Sequence, residues 1–204
     1  MSICVKICGL TDRSSLESAI DAGADAVGFV FHGRSPRNLS LAQARELAAA
    51  VPANVQKVAV MLHPDAQVCE AILKGLAPDV LQTDAGDFDY LAVPDHIERW
   101  PVVREHEWVE LPTLPGRFVY EGRYSGQGEQ VDWARAAILA GRGEMILAGG
   151  LNVANVAEAI RTVGPWGVDV SSAVESSPGK KDSRMIREFV SAAKEAARLE
   201  EARA

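Results

Sequence analysis

Eight short runs rich in Val, Ile, Phe and Leu recur along the chain, bounded by Gly, Pro or Asp, and most are followed by a helix-like segment. Ile3–Gly9, Ala26–Phe31, Gln56–Leu62, Asp79–Gln82, Pro101–Glu105, Arg117–Glu121, Glu144–Ala148 and Gly167–Ser171 read as buried strands. Helical patterns cover Thr11–Ala22, Ser40–Ala50, Asp65–Leu76, Asp132–Ala140 and Asn152–Val163, and Ser183–Leu199 closes the chain. Each opens on Thr, Ser, Asp or Asn, residues that cap helices. Strand–helix alternation of this kind implies an α/β fold with a parallel sheet and crossover helices. With eight repeats, the economical closed form is a single (β/α)8 TIM barrel spanning 1–204. That length is short for the fold, so one or more helices should be reduced. The weakest unit lies between Trp108 and Gly116, where Pro112 and Pro115 leave little room for a helix. An open doubly wound sheet is the rival; it usually carries a Gly-rich turn after its first strand, where this chain has Cys8-Gly9-Leu10-Thr11. Only the tail from Glu195 to Ala204 is expected to fray.

Side-chain alternation decides which residues face the interior. In the first strand Val5 and Ile7 belong against the helices, which turns Lys6 and Cys8 inward. By the same parity Asp169 and Ser171 point inward from the last strand, and the sixth ends on Glu121 before Gly122. All lie near C-terminal strand ends, the rim that carries the active site in barrels of this kind. A lysine and acids sharing an interior must be paired or hydrated, so Lys6 reads either as half of a structural ion pair with Asp169 or Glu121, or as part of a site.

Two late segments suit an anion. Leu147-Ala148-Gly149-Gly150-Leu151-Asn152 runs from strand to two glycines to a helix start, and Asp169-Val170-Ser171-Ser172-Ala173 repeats the arrangement one unit later. Glycines let backbone N–H groups approach a ligand, and helix N-termini favour negative charge. Loops after strands seven and eight frequently bind phosphate in this fold.

The charge balance excludes other classes. With 21 basic against 28 acidic side chains and a net charge of −7, the chain suits nucleic acid phosphates poorly. No apolar stretch approaches the roughly 20 residues of a membrane span, and Met1–Leu10 lacks the layout of a secretory signal. Cys4, Cys8 and Cys69 match neither a disulfide framework nor a zinc site. Reduced thiols in a cytoplasmic, metal-free protein are the simplest reading.

Taken together, Lys6-Ile7-Cys8-Gly9-Leu10-Thr11, Gly28-Phe29-Val30-Phe31 followed by Ser35-Pro36-Arg37, Leu147-Ala148-Gly149-Gly150-Leu151-Asn152, and Gly167–Ser172 with Ser177–Asp182 resemble the phosphoribosylanthranilate isomerases of tryptophan biosynthesis, in one order over nearly the whole chain. The resemblance implies a (β/α)8 barrel without metal or organic cofactor. The implied reaction is an Amadori rearrangement of N-(5′-phosphoribosyl)anthranilate to 1-(2-carboxyphenylamino)-1-deoxyribulose 5-phosphate. It further implies Cys8 as general base, Arg37 on the anthranilate carboxylate, Gly149, Gly150, Ser171 and Ser172 on the phosphate, and Asp169 near the ribose, with Lys6 beside Cys8. A thiolate base requires a lowered pKa, which cationic surroundings such as Lys6 supply. The small phosphorylated substrate is the expected partner, and the protein should act as a monomer.

Three positions depart from the family pattern. Glu121 stands where the family has its general-acid aspartate, one methylene longer, ahead of the loop Gly122–Gly128 and Val131-Asp132-Trp133. The family's Q-L-H-G after strand four is Gln82-Thr83-Asp84-Ala85 here, without the histidine. Its D-V-S-S-G becomes Asp169–Ala173, and Ala173 crowds the loop if that position needs positive φ. His32 and His63 follow strands two and three at no ligand spacing and read as solvated; Cys69, Trp133 and Trp166 read as packing. Lys180 and Lys181 either stiffen the loop before the last helix or are solvated charge. Two alternatives stay open: a related sugar-phosphate isomerase of histidine biosynthesis, and a degenerate barrel that binds phosphorylated ligands without turnover.

Overall fold

The computed structural model describes residues 3–105, 116–123, 128 and 130–203. Eight parallel strands close into a barrel in chain order: β1 (Cys4–Cys8), β2 (Ala26–Phe31), β3 (Gln56–Met61), β4 (Val80–Asp84), β5 (Glu98–Arg104), β6 (Arg117–Glu121), β7 (Glu144–Leu147) and β8 (Gly167–Val170). Pairing of β8 back onto β1, with Lys6 opposite Asp169, rules out the open sheet.

The helices form where capping side chains precede an apolar face. Asp12, not Thr11, caps α1 (Arg13–Asp21), accepting the Ser15 N–H at 2.9 Å. Ser40 and Gln43 make a reciprocal capping box on α2 (Leu41–Ala48). Asp65, Asp132 and Asp182 cap α3 (Ala66–Leu76), α4 (Trp133–Ala140) and α6 (Ser183–Glu201). The helix expected to start at Asn152 begins later, as α5 (Val156–Val163), because the Asn152 carboxamide accepts the N–H groups of Ala154 and Asn155 and builds a turn first.

Among the described residues one unit is reduced and another is extended. After β4 the chain makes a 3-10 turn, Ala85–Asp89, in place of a full helix. After β8 come another, Ser172–Val174, and a hairpin of β9 (Glu175–Ser177) and β10 (Lys180–Lys181) that the sequence reading did not contain. The weak unit expected before Gly116 falls on 106–115, outside the described residues. Past Glu195, where fraying is expected to begin, α6 continues to Glu201, and Ala196 and Ala197 lie in the core.

The core has two layers. Between barrel and helices, Val5, Ile7, Phe29, Phe118 and Tyr120 pack against side chains such as Leu16 and Phe189. Inside the barrel, Ala26, Val58, Val80, Trp100, Val102, Val119, Ile146 and Ala148 form a separate cluster. Trp166 meets Trp100 edge-on at 6.3 Å, and the Arg117 guanidinium lies 3.7 Å over the Trp166 ring, which closes this end of the barrel. Toward the C-terminal ends, the inward positions of β1, β4, β5, β6 and β8 are polar. Lys6, Cys8, Gln82, Asp84, Arg104, Glu121 and Asp169 gather toward the C-terminal rim. Apolar layers fix the floor so that the polar layer above has a rigid base.

Candidate active site

Strand register places Lys6 beside Asp169, and their side chains meet at 2.8 Å with the ammonium fully buried. Burial opposes the Lys6 charge, but the Asp169 carboxylate and neighbouring Cys8 outweigh it and hold the ammonium above its ordinary range. The other Asp169 oxygen, Oδ1, is buried with no hydrogen-bond partner among the described residues. Cys8 lies on the same face, and Gly28 on β2 makes room for it: a Cβ there would stand 2.9 Å from Cys8 Sγ and 3.3 Å from Lys6 Cε. The expected depression of the Cys8 pKa is corrected. Burial pushes the thiol up, and the lowering influence of Lys6 and Lys181 does not offset it.

Arg37 follows β2 and reaches the rim, but its fork is already engaged. Nε and Nη2 donate to the two Glu175 oxygens at 2.7 and 2.9 Å. The buried Lys181 ammonium donates to Glu175 Oε1 at 2.7 Å and to the Ser171 carbonyl at 2.9 Å. Burial raises the Glu175 carboxyl, but these two cations outweigh it and hold it below the usual carboxylate range. Lys181 is thus a strut inside the fold rather than solvated charge. Gly9, at φ +75°, lies under the Arg37 side chain where no Cβ fits.

Glu121 ends β6 opposite Arg104 on β5. The Arg104 Nη1 donates to Glu121 Oε2 at 3.0 Å, while Nε and Nη2 both donate to Asp84 Oδ1. Beyond Asp84 stands His63, its ring exposed but not simply solvated: Nδ1 is 2.9 Å from Asp87 and Nε2 is 3.4 Å from Asp84. The Asp87 hydrogen bond draws its pKa up against slight burial. His63 holds a left-handed φ of 45°, uncommon for a residue with a Cβ.

Opposite, Gly149 and Gly150 adopt φ of 83° and 67°. A Cβ on Gly150 would stand 2.6 Å from Gln130 Cα, so only glycine fits. Together with Ser171, Ser172, Asn152 and Gly128 they line a hollow of about 310 Å³. Ala173 sits in the 3-10 turn and is not among the left-handed residues, so the expected crowding does not arise. The hollow shares Glu121, Asp169, Ser171 and Ser172 with a larger cavity of about 1150 Å³, onto which Cys8, Arg37, Arg104 and His32 also open. Every expected site residue except fully buried Lys6 therefore lines one connected space. Sequence reading passed over Arg104 and Glu175. Starting β5 at Glu98 instead of Pro101 gives Trp100, Val102 and Arg104 one inward parity and exposes the first; Glu175 depends on the unforeseen hairpin.

Comparison with known proteins agrees with this arrangement. The family model described as N-(5′-phosphoribosyl)anthranilate (PRA) isomerase matches residues 5–192. An N-(5′-phosphoribosyl)anthranilate isomerase of Bradyrhizobium diazoefficiens is 39% identical over 212 residues, covering 95% of each chain. TrpF from Jonesia denitrificans superimposes with a TM-score of 0.82 at 32% identity, over 96% of this chain and 98% of that one. A phosphoribosyl anthranilate isomerase crystallised with reduced 1-(o-carboxyphenylamino)-1-deoxyribulose 5-phosphate gives 0.81 at 30% identity, over 95% and 99%. In sequence and in barrel architecture over nearly its full length, this chain belongs to the N-(5′-phosphoribosyl)anthranilate isomerase family.

Proposed function

We propose that this chain isomerises N-(5′-phosphoribosyl)anthranilate to 1-(2-carboxyphenylamino)-1-deoxyribulose 5-phosphate in tryptophan biosynthesis, with Glu121 as general acid and Cys8 as general base. The observation that carries the reading is that thiol and carboxyl line one cavity, continuous with the Gly149–Gly150 and Ser171–Ser172 hollow.

Glu121 protonates the furanose oxygen as the C1′–O bond breaks and the anilino nitrogen supplies the electron pair of the iminium. Cys8 then removes the C2′ proton, giving an enol-amine. Protonation at C1′ and loss of the C2′ hydroxyl proton complete the ketone. Two protons enter the substrate and two leave, so no external redox partner is needed. Burial favours the protonated Cys8 thiol; the substrate's iminium adds positive charge to that of Lys6 and Lys181 and favours the thiolate when it is needed. Asp169 Oδ1, buried without a partner among the described residues, is a ready acceptor for a ribose hydroxyl. Arg37 presents a guanidinium to the anthranilate carboxylate while Glu175 keeps it rigid.

Phosphate held in the glycine hollow at one end and carboxylate at Arg37 on the other set the sugar between acid and base. The chain is read as a cytoplasmic monomer. No helix among the described residues is long and apolar enough to cross a membrane, and the exposed large apolar side chains, Val68, Tyr90, Ile138 and Leu199, are scattered over separate elements.

The test is loss of anthranilate-type fluorescence on incubation with the substrate, beside growth of a tryptophan auxotroph lacking this step. Cys8→Ala should reduce turnover by at least about 100-fold, the lower range for a general base, with circular dichroism unchanged. Full activity in that variant removes Cys8 as base, and failure of the wild type in both assays removes the enzyme reading in favour of ligand binding alone. Offering the histidine-pathway ribotide in parallel separates the two isomerases.

A further inference from the structure

The structure joins two positions that depart from the family pattern, Asp84 and Glu121, through one guanidinium. Arg104 reaches across adjacent strands, with Nε and Nη2 on Asp84 Oδ1 and Nη1 on Glu121 Oε2 at 3.0 Å. Both Arg104 and Asp84 are buried, at 4% and 9% exposure. We infer that Asp84 and Arg104 are positioning residues for Glu121: Asp84 anchors the guanidinium, and the guanidinium aims the longer carboxyl side chain at the sugar ring oxygen.

A glutamate has one more rotatable bond than an aspartate, so its acid is less well placed unless something holds it. A planar fork fixed at two nitrogens has no freedom left at the third, which makes it a better clamp than a lysine. A cation beside a general acid also carries a penalty, since it favours the carboxylate over the proton-bearing form. Asp84 answers that penalty by taking the larger share of the guanidinium. Arg104 orients Glu121 through one hydrogen bond while its charge is matched on the far side. Among the described residues, other charged groups around this cluster include His63 beyond Asp84, Arg123 after β6, and Asp169 across the barrel.

The inference rests on Glu121 being the acid, and the experiment separates the two claims. Steady-state kinetics would be measured for Asp84→Asn, Arg104→Lys, Glu121→Gln and the double variant Asp84→Asn/Glu121→Gln, with thermal melts to confirm folding. Misplacing a reacting group by about 1 Å costs up to about 100-fold. Asp84→Asn keeps the shape and removes the countercharge, so kcat should fall about 10-fold with KM within about 2-fold, and the acid-form limb of the pH–kcat profile should move to lower pH. Arg104→Lys keeps the charge and loses the fork, so kcat should fall by a similar factor without the same limb shift. In the Glu121→Gln background Asp84→Asn should change kcat less than about 2-fold, because its effect passes through the missing acid.

If Glu121→Gln keeps full activity, Glu121 is not the acid and the proposed mechanism fails. If Glu121→Gln is inactive while Asp84→Asn and Arg104→Lys match the wild type, the positioning claim alone fails. A raised KM at constant kcat in both variants also overturns it, because it makes the pair a direct substrate contact. Equal losses from Asp84→Asn in both backgrounds overturn it as well, because they mark a structural role.

Discussion

Replacing Lys6 by Met puts the buried pair at the barrel centre to a quantitative test. Methionine keeps most of the stem volume and removes the ammonium. What remains is Asp169, 9% exposed, with Oδ2 deprived of its 2.8 Å partner and Oδ1 already without one among the described residues. Removing one half of such a pair costs about 3–5 kcal/mol, because the survivor's desolvation is no longer offset. At about 2–4 °C per kcal/mol for a chain of this size, the melting temperature should drop by roughly 6–20 °C. The sign with pH follows from the survivor. Burial holds the Asp169 carboxyl above its ordinary range even beside Lys6, and losing Lys6 raises it further. A group whose folded pKa is raised keeps its full contribution below its unfolded value, about 3.9, and loses it as pH rises through the folded value. The gap between variant and wild type should therefore be wide at pH 7.5 and narrow toward pH 4. Urea unfolding at both pH values measures it. The double variant Lys6→Met/Asp169→Val should recover most of the loss at pH 7.5, since an apolar pair carries no desolvation cost. A single variant within about 1 kcal/mol of the wild type, or a double variant no better than the single, refutes the reasoning.

The remaining predictions concern the thiol and the second buried carboxylate. Because burial pushes the Cys8 thiol up, its alkylation by iodoacetamide without substrate, followed by peptide mass mapping, should be slow at pH 7. It should still be accelerating past the ordinary thiol value of about 8.5; a plateau below pH 7 would mean a resident thiolate. Glu175→Gln removes the acid shared by Arg37 and Lys181. It should cost about 3 kcal/mol at pH 7 by leaving two cations unmatched. The depressed wild-type carboxyl contributes stability above the unfolded value of about 4.3 and loses it as pH falls through the folded one, so the deficit should close in acid. A constant deficit across pH would show that packing, not charge, is lost.

Fold and site were legible to different depths for a physical reason. Strand alternation and cap residues act within a few positions, so the eight strands and the Ser40, Asp65 and Asp132 starts could be read directly. Parity in β1 and β8 placed Lys6 and Asp169 inside, and the need to compensate buried charge left Asp169 or Glu121 as the Lys6 partner; strand register decides for Asp169. The hairpin after β8 was invisible for the opposite reason. Glu175–Ser177 and Lys180–Lys181 carry no apolar pattern, and what holds them is long-range: Thr11 donates to the Gly179 carbonyl at 3.0 Å, and Arg37 donates to Glu175 at 2.7 and 2.9 Å. Helix α6 closely follows its expected span, Ser183–Leu199, but burial of Ala196 and Ala197 near its end was not foreseen, because small side chains give little hydrophobic signal.

The chemistry shows the same division. A motif supplies the reacting atom, but its acidity depends on everything packed around it. Lys6 beside Cys8 suggested a lowered thiol pKa, yet the enclosure that brings the two together also strips water from the sulfur, and desolvation is the larger influence. Glu121 in place of an aspartate adds a methylene and a rotatable bond. With Arg104 on the neighbouring strand and Asp84 one strand further, the extra methylene has a clamp and the clamp has a countercharge. A substitution inside a barrel is therefore judged by the adjacent strands at the same height, since registry there couples side chains that lie 17 and 20 residues apart in sequence.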